Sequence, residues 1–551
     1  MSEAGDARAQ RVEDLPDGLV AGLCGRAAYV HDPDAVDGVA VVQTHISHLF
    51  LTASRVYKIR KAVSLGFLDF GMRASRNGDC LRELTLNRRL APDVYLGVAP
   101  VQRSGSNVRV GAIEESVSSP ELEHCVVMRR LSPGQDALSL IERREFGTDH
   151  VDAMSRVIVR FHKRYRLGQP APFSPEAWLT AIVTPVADNF TLISGVIDDA
   201  RLPSLARGTR DVLDIHRDRF ETRRVKGRAV DGHGDLHLAH VWFEVGNTDP
   251  LFIDCIEFSN RLRQIDAASE VAFMAMDLRY RGYSDLADRF LRRYAADSDD
   301  FHLYTVVDYF ISYRAAVRAK VAAIIAVETE VPDAQRRASR VSASRHLDLA
   351  TDALFRRGYG AVVVMTGVVG TGKSTAAQTV ADSLDGTAVI SSDRVRKRLA
   401  GLDPLDRTDV EVDADIYTEG VTQRVYHGLL DRAESVVGSG RVAVLDATFS
   451  SPDRRAQAAT FARDHGVPFL IVETRCGETE VRQRLEDRER RGLDASDAGS
   501  EFYTVSMSRY VPVRIHEGDH LVVDTDTPSW QLNLGRQLQS WRRRSIHDGQ
   551  G

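Results

Sequence analysis

The pattern of apolar and polar positions changes character along the chain. Between about Glu13 and Leu131, short runs rich in β-branched residues alternate with turns, as in VAVVQTHI, LFLTASRVYKI, NVRVGAI and HCVVMRRL. The charged stretch CLRELTLNRRLA, between the second and third runs, has a helical pattern. From Phe146 to Leu167 and again from Phe301 to Ile325 the pattern becomes helical. The sequence therefore predicts a mostly β lobe followed by a mostly α lobe.

A second kind of alternation begins after a polar segment. Residues Glu328–Arg345 are polar, contain Pro332 and carry little apolar pattern. Beyond them the apolar runs AVVVMTG, TAVISSD, RVAVLDAT and PFLIVET are separated by helical stretches. Strands that alternate with helices are typical of βαβ units and a parallel sheet.

Composition excludes several classes of protein. A chain of 551 residues with 43% hydrophobic and 27% charged residues is an ordinary globular balance, which excludes a disordered, collagenous or fibrous protein. The formal net charge of -6 gives no reason to expect a nucleic-acid coat or a basic membrane-binding surface. The five scattered cysteines form no CxxC pair, which argues against a disulfide framework or a structural zinc site. The polar N-terminus and the lack of a long apolar stretch predict a soluble, cytoplasmic protein with no membrane partner.

The strongest motif follows the apolar run AVVVMT. The sequence GVVGTGKS fits G-x-x-x-x-G-K-[ST], the Walker A pattern of a phosphate-binding loop that wraps ATP. Glycines let successive backbone N–H groups point at phosphate oxygens, and the following helix directs its N-terminal dipole at the anion. Lys373 would reach the outer phosphates and Ser374 would ligate Mg²⁺; a glycine-rich turn without a ligand is the alternative. The predicted nucleotide-binding residues of this loop are Gly367, Gly370, Gly372, Lys373, Ser374 and Thr375.

Further residues in the C-terminal half are candidates for chemistry on a bound nucleotide. Asp446 ends an apolar strand, where a second carboxylate could help to hold Mg²⁺; a strand-end cap is the alternative. Asp393 and Arg396 lie one helical turn apart and could act as proton acceptor and anion clamp, or as a helix cap and a solvated face. Arg488 and Arg491, in VRQRLEDRERRG, are candidates for a lid over the phosphates, with a solvated charged helix as the alternative.

Residues 359–530 resemble the polynucleotide-kinase, gluconate-kinase and zeta-toxin branch of small P-loop kinases. The resemblance lies in GVVGTGKS, in SDRVR with its D-x-x-R pattern, in the LDAT strand and in the arginine-rich lid. It implies that Asp393 is a general base and that Arg396 clamps the substrate side. None of these motifs names the acceptor.

A second constellation lies at residues 230–258, which read VDGHGDLHLAHVWFEVGNTDPLFIDCIEF. A His-Gly-Asp turn, a strand, a short hairpin and a second strand would place Asp235 and Asp254 near each other. In a phosphotransferase Asp235 would orient and deprotonate the acceptor hydroxyl, and Asp254 would hold Mg²⁺ that bridges the nucleotide phosphates. We expect His233 to support this loop by hydrogen bonding.

This half resembles the aminoglycoside-phosphotransferase family, which has a protein-kinase-like fold. The matching segments are HGDLHLAHV, LFIDCIEF, RVYKIRK and LRELTLNRRLAPDVYLG. The resemblance implies that Lys58, or alternatively Lys61, positions the phosphates with Glu83 as its helix partner. It also implies that Asp235 is the catalytic aspartate and Asp254 a metal ligand.

The sequence departs from this family at two places. Where the family pattern H-x-D-x-x-x-x-N has an asparagine that offers oxygen to a metal, this chain has His240 as the candidate ligand. A neutral imidazole is a softer ligand that suits Mg²⁺ less well. The loop THISHLFLT also lacks glycine, so we expect no glycine-rich flap over the nucleotide.

The two resemblances together cover about residues 30–530 and are similar to a known bacterial fusion. The predicted fold is an α+β two-lobed kinase-like domain followed by an α/β P-loop NTPase domain with a mostly parallel sheet. We predict a flexible N-terminus (1–25), the aminoglycoside-phosphotransferase-like domain (26–327), a polar linker or helix (328–356), the P-loop kinase domain (357–535) and a basic flexible tail (536–551).

Three functions are consistent with these motifs. The first is an enzyme with two ATP sites, at least one of which transfers the γ-phosphate to a hydroxyl of a small-molecule acceptor. The second is an ATP-sensing or scaffold protein whose first domain is a pseudokinase, as His240 and the glycine-free loop suggest. The third is a nucleic-acid end kinase, against which the net charge of -6 and the lack of an aromatic and basic platform argue. The acidic residues of Leu278–Asp300 are expected to form a solvated helix face and loop rather than an antibiotic site.

Overall fold

The computed structural model describes residues 13–35, 38–64, 68–105, 107–402, 418–491 and 500–548. Contacts between Cα atoms divide the chain into two compact units. The first consists of residues 1–146, 164–167 and 230–265, and the second of residues 147–163, 168–229 and 266–551. Among the described residues, no helix combines the length and the apolar character needed to cross a bilayer.

The first unit is built on an antiparallel sheet of six strands in the order β1-β2-β3-β6-β4-β5. The predicted β-rich lobe is confirmed. The sequence pattern had not singled out β4, because Gly97 and Pro100 interrupt its apolar run and a bulge breaks its register between Tyr95 and Gly97. The elements are α1 (Leu19–Leu23), β1 (Ala40–Gln43), β2 (Ser47–Leu51), β3 (Arg55–Arg60), α2 (Arg73–Asn87), β4 (Tyr95–Ser104), β5 (Asn107–Val110), β6 (Glu123–Arg129) and α3 (Ala137–Glu142).

Strand alternation gives this sheet two apolar faces. Phe50, Tyr57 and Val127 belong to a cluster on one face, with Leu19 and Leu23 of α1. Buried residues on the other face pack with Cys80 and Leu84 of α2. Because α2 is fixed against the sheet in this way, its polar face can meet strand β3.

The next part of the chain passes from one unit to the other. It contains four helices and then three short strands, a short helix and a last strand. In chain order these elements are α4 (Thr148–Arg164), α5 (Pro175–Ser194), α6 (Leu202–Ile215), α7 (Arg217–Val225), β7 (Ala229–Asp231), β8 (Val241–Trp242), β9 (Leu251–Phe252), α8 (Asn260–Arg263) and β10 (Gln264–Asp266). Strands β8 and β9 pair antiparallel through Val241 with Phe252 and Trp242 with Leu251, which is the predicted hairpin.

Helices continue beyond β10 in the second unit. The predicted helical stretch 301–325 is a 3-10 turn, Phe301–Thr305, followed by a long helix, and the polar segment after it is helical too. The buried residues Ala343, Ala350 and Ala353 give that last helix a small-residue face. The helices are α9 (Ala267–Tyr280), α10 (Ser284–Ser298), α11 (Val307–Val327) and α12 (Asp333–Leu354).

The remainder of the second unit contains a five-stranded sheet in the order β12-β13-β11-β14-β15, whose neighbouring strands are all parallel. The predicted α/β architecture is confirmed. The elements are β11 (Ala361–Thr366), α13 (Lys373–Ser383), β12 (Thr387–Ser391), α14 (Ser392–Leu399), α15 (Glu419–Val437), β13 (Val442–Asp446), α16 (Pro452–Asp464), β14 (Phe469–Arg475), α17 (Glu478–Arg491), α18 (Ser500–Arg509), β15 (Asp519–Asp524) and α19 (Trp530–Asp548).

The C-terminal segment differs from the flexible basic tail expected for residues 536–551. It is helical in α19 as far as Asp548. Leu534, Leu538 and Trp541 are buried in the core of the parallel sheet, and Trp541 Nε1 donates to Asp519 Oδ2 at 2.8 Å. Arginines conceal this apolar spacing, because Arg536, Arg543 and Arg544 occupy exposed positions of the same helix.

The acidic segment Leu278–Asp300 also differs from the expected solvated face. The side chain of Asp297 is 0% exposed and pairs with Arg394, while both Asp299 oxygens accept from Arg432 at 2.6 Å. The prediction was wrong for these aspartates because their partners lie far along the chain, in the P-loop region, where a local pattern cannot reveal them.

Candidate active sites

The side chain of Lys58 joins two carboxylates within the first unit. Its Nζ lies 2.8 Å from Glu83 Oε1 and 2.9 Å from Asp254 Oδ1. Burial opposes the charge on Lys58, but Asp254 and Glu83 outweigh it and raise the pKa of the ammonium above its usual value. The alternative Lys61 follows the last residue of β3, and its Nζ donates to the carbonyl oxygen of Thr44 at 2.7 Å. The structure therefore brings Lys58, and not Lys61, together with the predicted partners.

Arg60 is a component of this site that the sequence analysis missed. Its Nε donates to Asp79 Oδ2 and its Nη2 to Glu83 Oε2, both at 2.7 Å, and it also pairs with Glu257. Burial raises the pKa of Glu257 to about 8, with Arg60 acting in the opposite direction. Strand alternation could have identified Arg60, because it stands two residues after Lys58 on the same strand.

The loop that carries Asp235 is held by histidines. His233 Nδ1 accepts from the Asp235 N–H at 3.3 Å, and its Nε2 lies 2.9 Å from the carbonyl oxygen of Ile253, as expected for a supporting residue. Asp235 Oδ2 lies 3.3 Å from His237 Nε2 and 3.7 Å from His240 Nδ1. Burial alone would raise the pKa of Asp235, but the neighbouring histidines lower it below its usual range. Asp235 is therefore ionised at neutral pH.

Asp254 sits in a strained backbone position opposite His240. Its φ of 63° is in the left-handed region, and its N–H donates to the hydroxyl of Tyr95 at 3.1 Å. Lys58 is the main cause that lowers the pKa of Asp254. Asp254 Oδ2 lies 3.6 Å from His240 Nε2. Burial, and then His237, lower the pKa of His240 to about 4, so its imidazole is neutral at pH 7.

The donor set of this site does not match the ion that the family resemblance implies. Mg²⁺ takes oxygen ligands in a near-ideal octahedron, and the carboxylate of Asp254 is such a ligand. His240 instead presents ring nitrogen at the expected ligand position, and Asp235, His237 and His240 offer atoms that all lie within 4.8 Å of one another. The residues present here thus mix nitrogen with oxygen and fit Mg²⁺ poorly.

The phosphate-binding loop connects β11 to α13 in the second unit. Gly367, Gly370 and Gly372 have φ values of 137°, 81° and 84°, which side chains rarely adopt. A Cβ on Gly367 would lie 2.6 Å from the carbonyl oxygen of Thr474. Lys373 opens α13, and its Nζ donates to the carbonyl oxygen of Val368 at 2.8 Å. The loop is thus a tight turn whose shape depends on its glycines.

Candidate carboxylates meet this loop at one edge of the sheet. Asp446 ends β13, in register with Met365 of β11 and Ser391 of β12. Asp393 lies in the first turn of α14, directly after β12, and Arg396 follows one turn later on a buried part of that helix. Because the parallel strands all end at this edge, these residues lie beside the loop. Ser374 and Thr375 are exposed at the start of α13.

The oxygen donors at this edge fit Mg²⁺. Asp446 offers a carboxylate at the end of β13, and Ser374 an exposed hydroxyl next to the loop. Hydroxyl and carboxylate oxygens are ligands that Mg²⁺ accepts in nucleotide sites. Ser374 and Asp446 could therefore hold the ion here.

Helix α17, which carries the predicted lid arginines, packs on the loop. Val481 and Leu485 form a buried cluster with Val368 and Tyr503. Arg484, which the sequence analysis missed, donates to Thr525 Oγ1 at 3.0 Å and anchors this helix to the segment after β15. Arg488 and Arg491 are within α17, but their side chains lie outside the described residues.

Comparison with known sequences identifies the family. A family model described as an AAA domain matches residues 362–512. Uncharacterized proteins of Mycobacterium tuberculosis and Mycobacterium bovis are 33% identical over 512 residues, which is 92% of this chain and 95% of theirs. The chain belongs to the same family as these mycobacterial proteins. It combines an N-terminal region built on an antiparallel six-stranded sheet with a C-terminal region that the AAA-domain model matches.

Three of the solved structures that are similar to parts of this chain are named as kinases. A choline kinase from Cryptosporidium parvum is 12% identical, with a TM-score of 0.37, and the match covers 61% of this chain and 95% of that one. The amicoumacin kinase hAmiN is also 12% identical, with a TM-score of 0.36 over 61% of this chain and 94% of its own. A putative kinase from Chloroflexus aurantiacus is 20% identical, with a TM-score of 0.27 over 34% of this chain and 98% of its own.

Proposed function

We propose that this protein is an ATP-dependent phosphotransferase of the cytoplasm with two nucleotide sites. At least one of these sites would transfer the γ-phosphate of ATP to a hydroxyl group of a small-molecule acceptor. The observation that carries the proposal is the meeting of the glycine loop with Asp446 and Asp393 at one edge of the parallel sheet. The five cysteines, all free thiols, are consistent with a reducing compartment.

At the P-loop site different groups of the chain would bind the phosphates, accept the proton and balance the charge. Backbone N–H groups of residues 367–374 and the N-terminus of α13 would bind the phosphates, with Lys373 turning from Val368 to the outer ones. Mg²⁺, held by Ser374 and Asp446, would neutralise charge on the phosphates. Asp393 would accept the proton of the attacking hydroxyl, and Arg396, one turn along α14, would balance negative charge on the substrate side. Arg488 and Arg491 of α17 would close over the phosphates.

At the N-terminal site the chemistry is derived from Lys58, Glu83 and Asp235. Lys58 would position the nucleotide phosphates, because Glu83 holds its ammonium at 2.8 Å. Asp235 is ionised and would accept the proton of the acceptor hydroxyl. His237 would orient that carboxylate through the 3.3 Å contact with its Oδ2.

The proposal is tested on the full chain with labelled ATP and a metabolite extract as the source of acceptors. We expect acceptor-dependent ADP production, of which Lys373→Ala removes the P-loop share and Asp235→Ala the N-terminal share. The double variant should lose at least about a hundredfold, the usual contribution of one general base. Lys226→Ala and Asp93→Ala remove exposed groups of the same types and should have no effect. Wild-type turnover in the double variant would exclude the proposed sites.

A second candidate function is ATP sensing by a pseudokinase N-terminal region. The observation in its favour is the connection between β1 and β2, where the Thr44 N–H donates to the Ser47 carbonyl at 2.9 Å in a tight turn without glycine. Full-length Lys373→Ala protein distinguishes the two functions. ATP binding without phosphoryl transfer to any acceptor of a broad panel would favour sensing.

A further inference from the structure

The ring of His240 has one nitrogen committed to the backbone. Its Nδ1 lies 3.0 Å from the carbonyl oxygen of Asp235. A carbonyl oxygen can only accept, so Nδ1 carries the hydrogen and, in the neutral ring, Nε2 carries a lone pair. That lone pair lies 3.6 Å from Asp254 Oδ2, which is also an acceptor. Two acceptors that face each other at this distance attract a cation between them.

The spacing of these atoms suits a small divalent ion. Bonds of about 2.1 Å at tetrahedral or octahedral angles keep ligand atoms about 3.0–3.4 Å apart. The 3.6 Å between His240 Nε2 and Asp254 Oδ2 is within a few tenths of an ångström of this range. The carboxylate of Asp235 lies beside the same imidazole, with Oδ2 3.7 Å from Nδ1. It therefore faces the N–H side of the ring and not the lone pair of Nε2.

Neighbouring residues hold both ligand groups in place. Lys58 binds Asp254 through Oδ1 at 2.9 Å, which leaves Oδ2 directed to His240. The hydrogen bond from Nδ1 to a backbone carbonyl is the outer-shell contact that metal-binding histidines commonly make. His237 plays a different part, because its Nδ1 accepts from the Ala239 N–H at 3.3 Å and its Nε2 faces Asp235.

We propose that His240 and Asp254 bind a first-row transition-metal ion of the Mn²⁺, Co²⁺ and Zn²⁺ class in preference to Mg²⁺. Imidazole is a favourable ligand for these ions, whereas Mg²⁺ selects oxygen and loses its water reluctantly. The inference rests on the proposed function only for the assignment of this cluster to a nucleotide site. The binding itself can be measured without nucleotide.

The test uses the full-length, tag-free protein without nucleotide, titrated with Mn²⁺ while electron paramagnetic resonance reports the free ion. We expect a Mn²⁺ site that Mg²⁺ displaces only at concentrations at least about tenfold higher. His240→Asn, which restores an oxygen donor, should lower this preference for Mn²⁺ by about tenfold. His427→Asn is the matched control, because His427 is exposed on α15 and should leave both affinities unchanged.

Co²⁺ provides a second readout, since its visible absorption changes when an imidazole nitrogen is a ligand. We expect the bands of the wild-type complex to change in His240→Asn and to be kept in His427→Asn. His240→Gln serves as a second variant if His240→Asn does not fold. The wild-type preference for Mn²⁺ over Mg²⁺ is decisive without either variant.

Three results would overturn this inference: no Mn²⁺ binding, equal affinity for Mg²⁺, or unchanged binding and spectra in the His240 variants. The outcome is separable from that of the proposed function. Transition-metal binding without phosphoryl transfer would exclude the enzyme and keep the ion preference. Phosphoryl transfer by a protein whose His240 site prefers Mg²⁺ would support the enzyme and exclude the ion preference.

Discussion

The position of a residue along β3 determines its contacts more than its residue type does. Lys58 and Arg60 share a face of β3 and both contact Glu83, whereas Lys61 contacts the backbone of Thr44. The sequence alone left Lys58 and Lys61 open, because both are lysines after the same apolar run. Counting in twos along the strand separates them.

Lys58→Ala should weaken ATP binding at the N-terminal site by about tenfold or more, because charge-assisted hydrogen bonds contribute about 1.5–3 kcal/mol. Lys61→Ala is the matched control and should change the affinity less than about twofold. Both are measured by titration with a fluorescent ATP analogue in full-length protein that also carries Lys373→Ala. Equal effects of the two substitutions would reverse the assignment.

The helices and strands that were predicted correctly are those whose sequence pattern lies within a short stretch of the chain. The P-loop, the parallel strands and the β8–β9 hairpin were predicted correctly, since each has a short apolar run with a defined turn. Helices α5 to α7 were not singled out, and α19 was expected to be a tail. The apolar faces of such helices are recognised only from the core that they cover, which for α19 is the parallel sheet.

The contact of α17 with the phosphate-binding loop makes Gly370 sensitive to any side chain. Its φ is 81°, and a Cβ there would lie 2.7 Å from Val481 Cγ1. Gly370→Ala should lower the free energy of unfolding by at least about 1–2 kcal/mol and weaken nucleotide binding at this site. Urea unfolding and nucleotide titration measure the two effects.

The matched control is Gly420→Ala on α15, where a Cβ would have nothing within 4 Å. There alanine should leave binding unchanged and stabilise the helix by up to about 1 kcal/mol. If Gly370→Ala behaves like this control, α17 does not constrain the loop.

At the scale of the whole molecule, ion pairs and a side-chain hydrogen bond connect the helical part of the second unit to its P-loop region. Asp308 accepts from Arg441 at 2.7 and 2.9 Å, Arg292 donates to the carbonyl oxygen of Ala381 at 2.8 Å, and Asp297 pairs with Arg394 beside Asp393. The sequence could not predict these pairs, because about a hundred residues separate their members. They are the main feature of the structure that no motif indicated.

Asp297→Asn should destabilise the protein by about 2 kcal/mol or more, because it removes a fully buried partner from Arg394. It should also lower P-loop turnover, since Arg394 adjoins Asp393. Asp333→Asn, which breaks the exposed pair with Arg336 on α12, is the control and should cost less than about 1 kcal/mol. Denaturant unfolding measures the loss of stability and initial rates measure the loss of turnover. Equal losses in Asp297→Asn and Asp333→Asn would show that the buried pair stabilises the protein no more than the exposed one.

Stability of the folded chain should fall between pH 6.5 and pH 5. Burial lowers the pKa of His302 and of His346 to about 4, whereas an unfolded histidine titrates near its ordinary value. The unfolded chain therefore binds protons in this window that the folded chain does not, at a cost of up to about 2 kcal/mol per histidine by pH 5. The carboxylates with lowered pKa, such as Asp254, add their effect only at lower pH.

Urea unfolding at several pH values measures this slope. His346→Gln should reduce it by the share of one proton, while His427→Asn, an exposed site, should leave it unchanged. An identical slope in wild type and His346→Gln would show that the pKa of this histidine is the same in the folded and unfolded chains.

The arginine and aspartate pairs within the second unit also limit how the protein can be divided into fragments. A fragment cut out at residue 357 would leave Arg394, Arg432 and Arg441 without Asp297, Asp299 and Asp308. Such a piece would present bare guanidinium groups and exposed apolar surface to water, and would precipitate or bind polyanions indiscriminately. Separate nucleotide affinities should therefore be sought by silencing one site in the intact polypeptide, not by expressing halves.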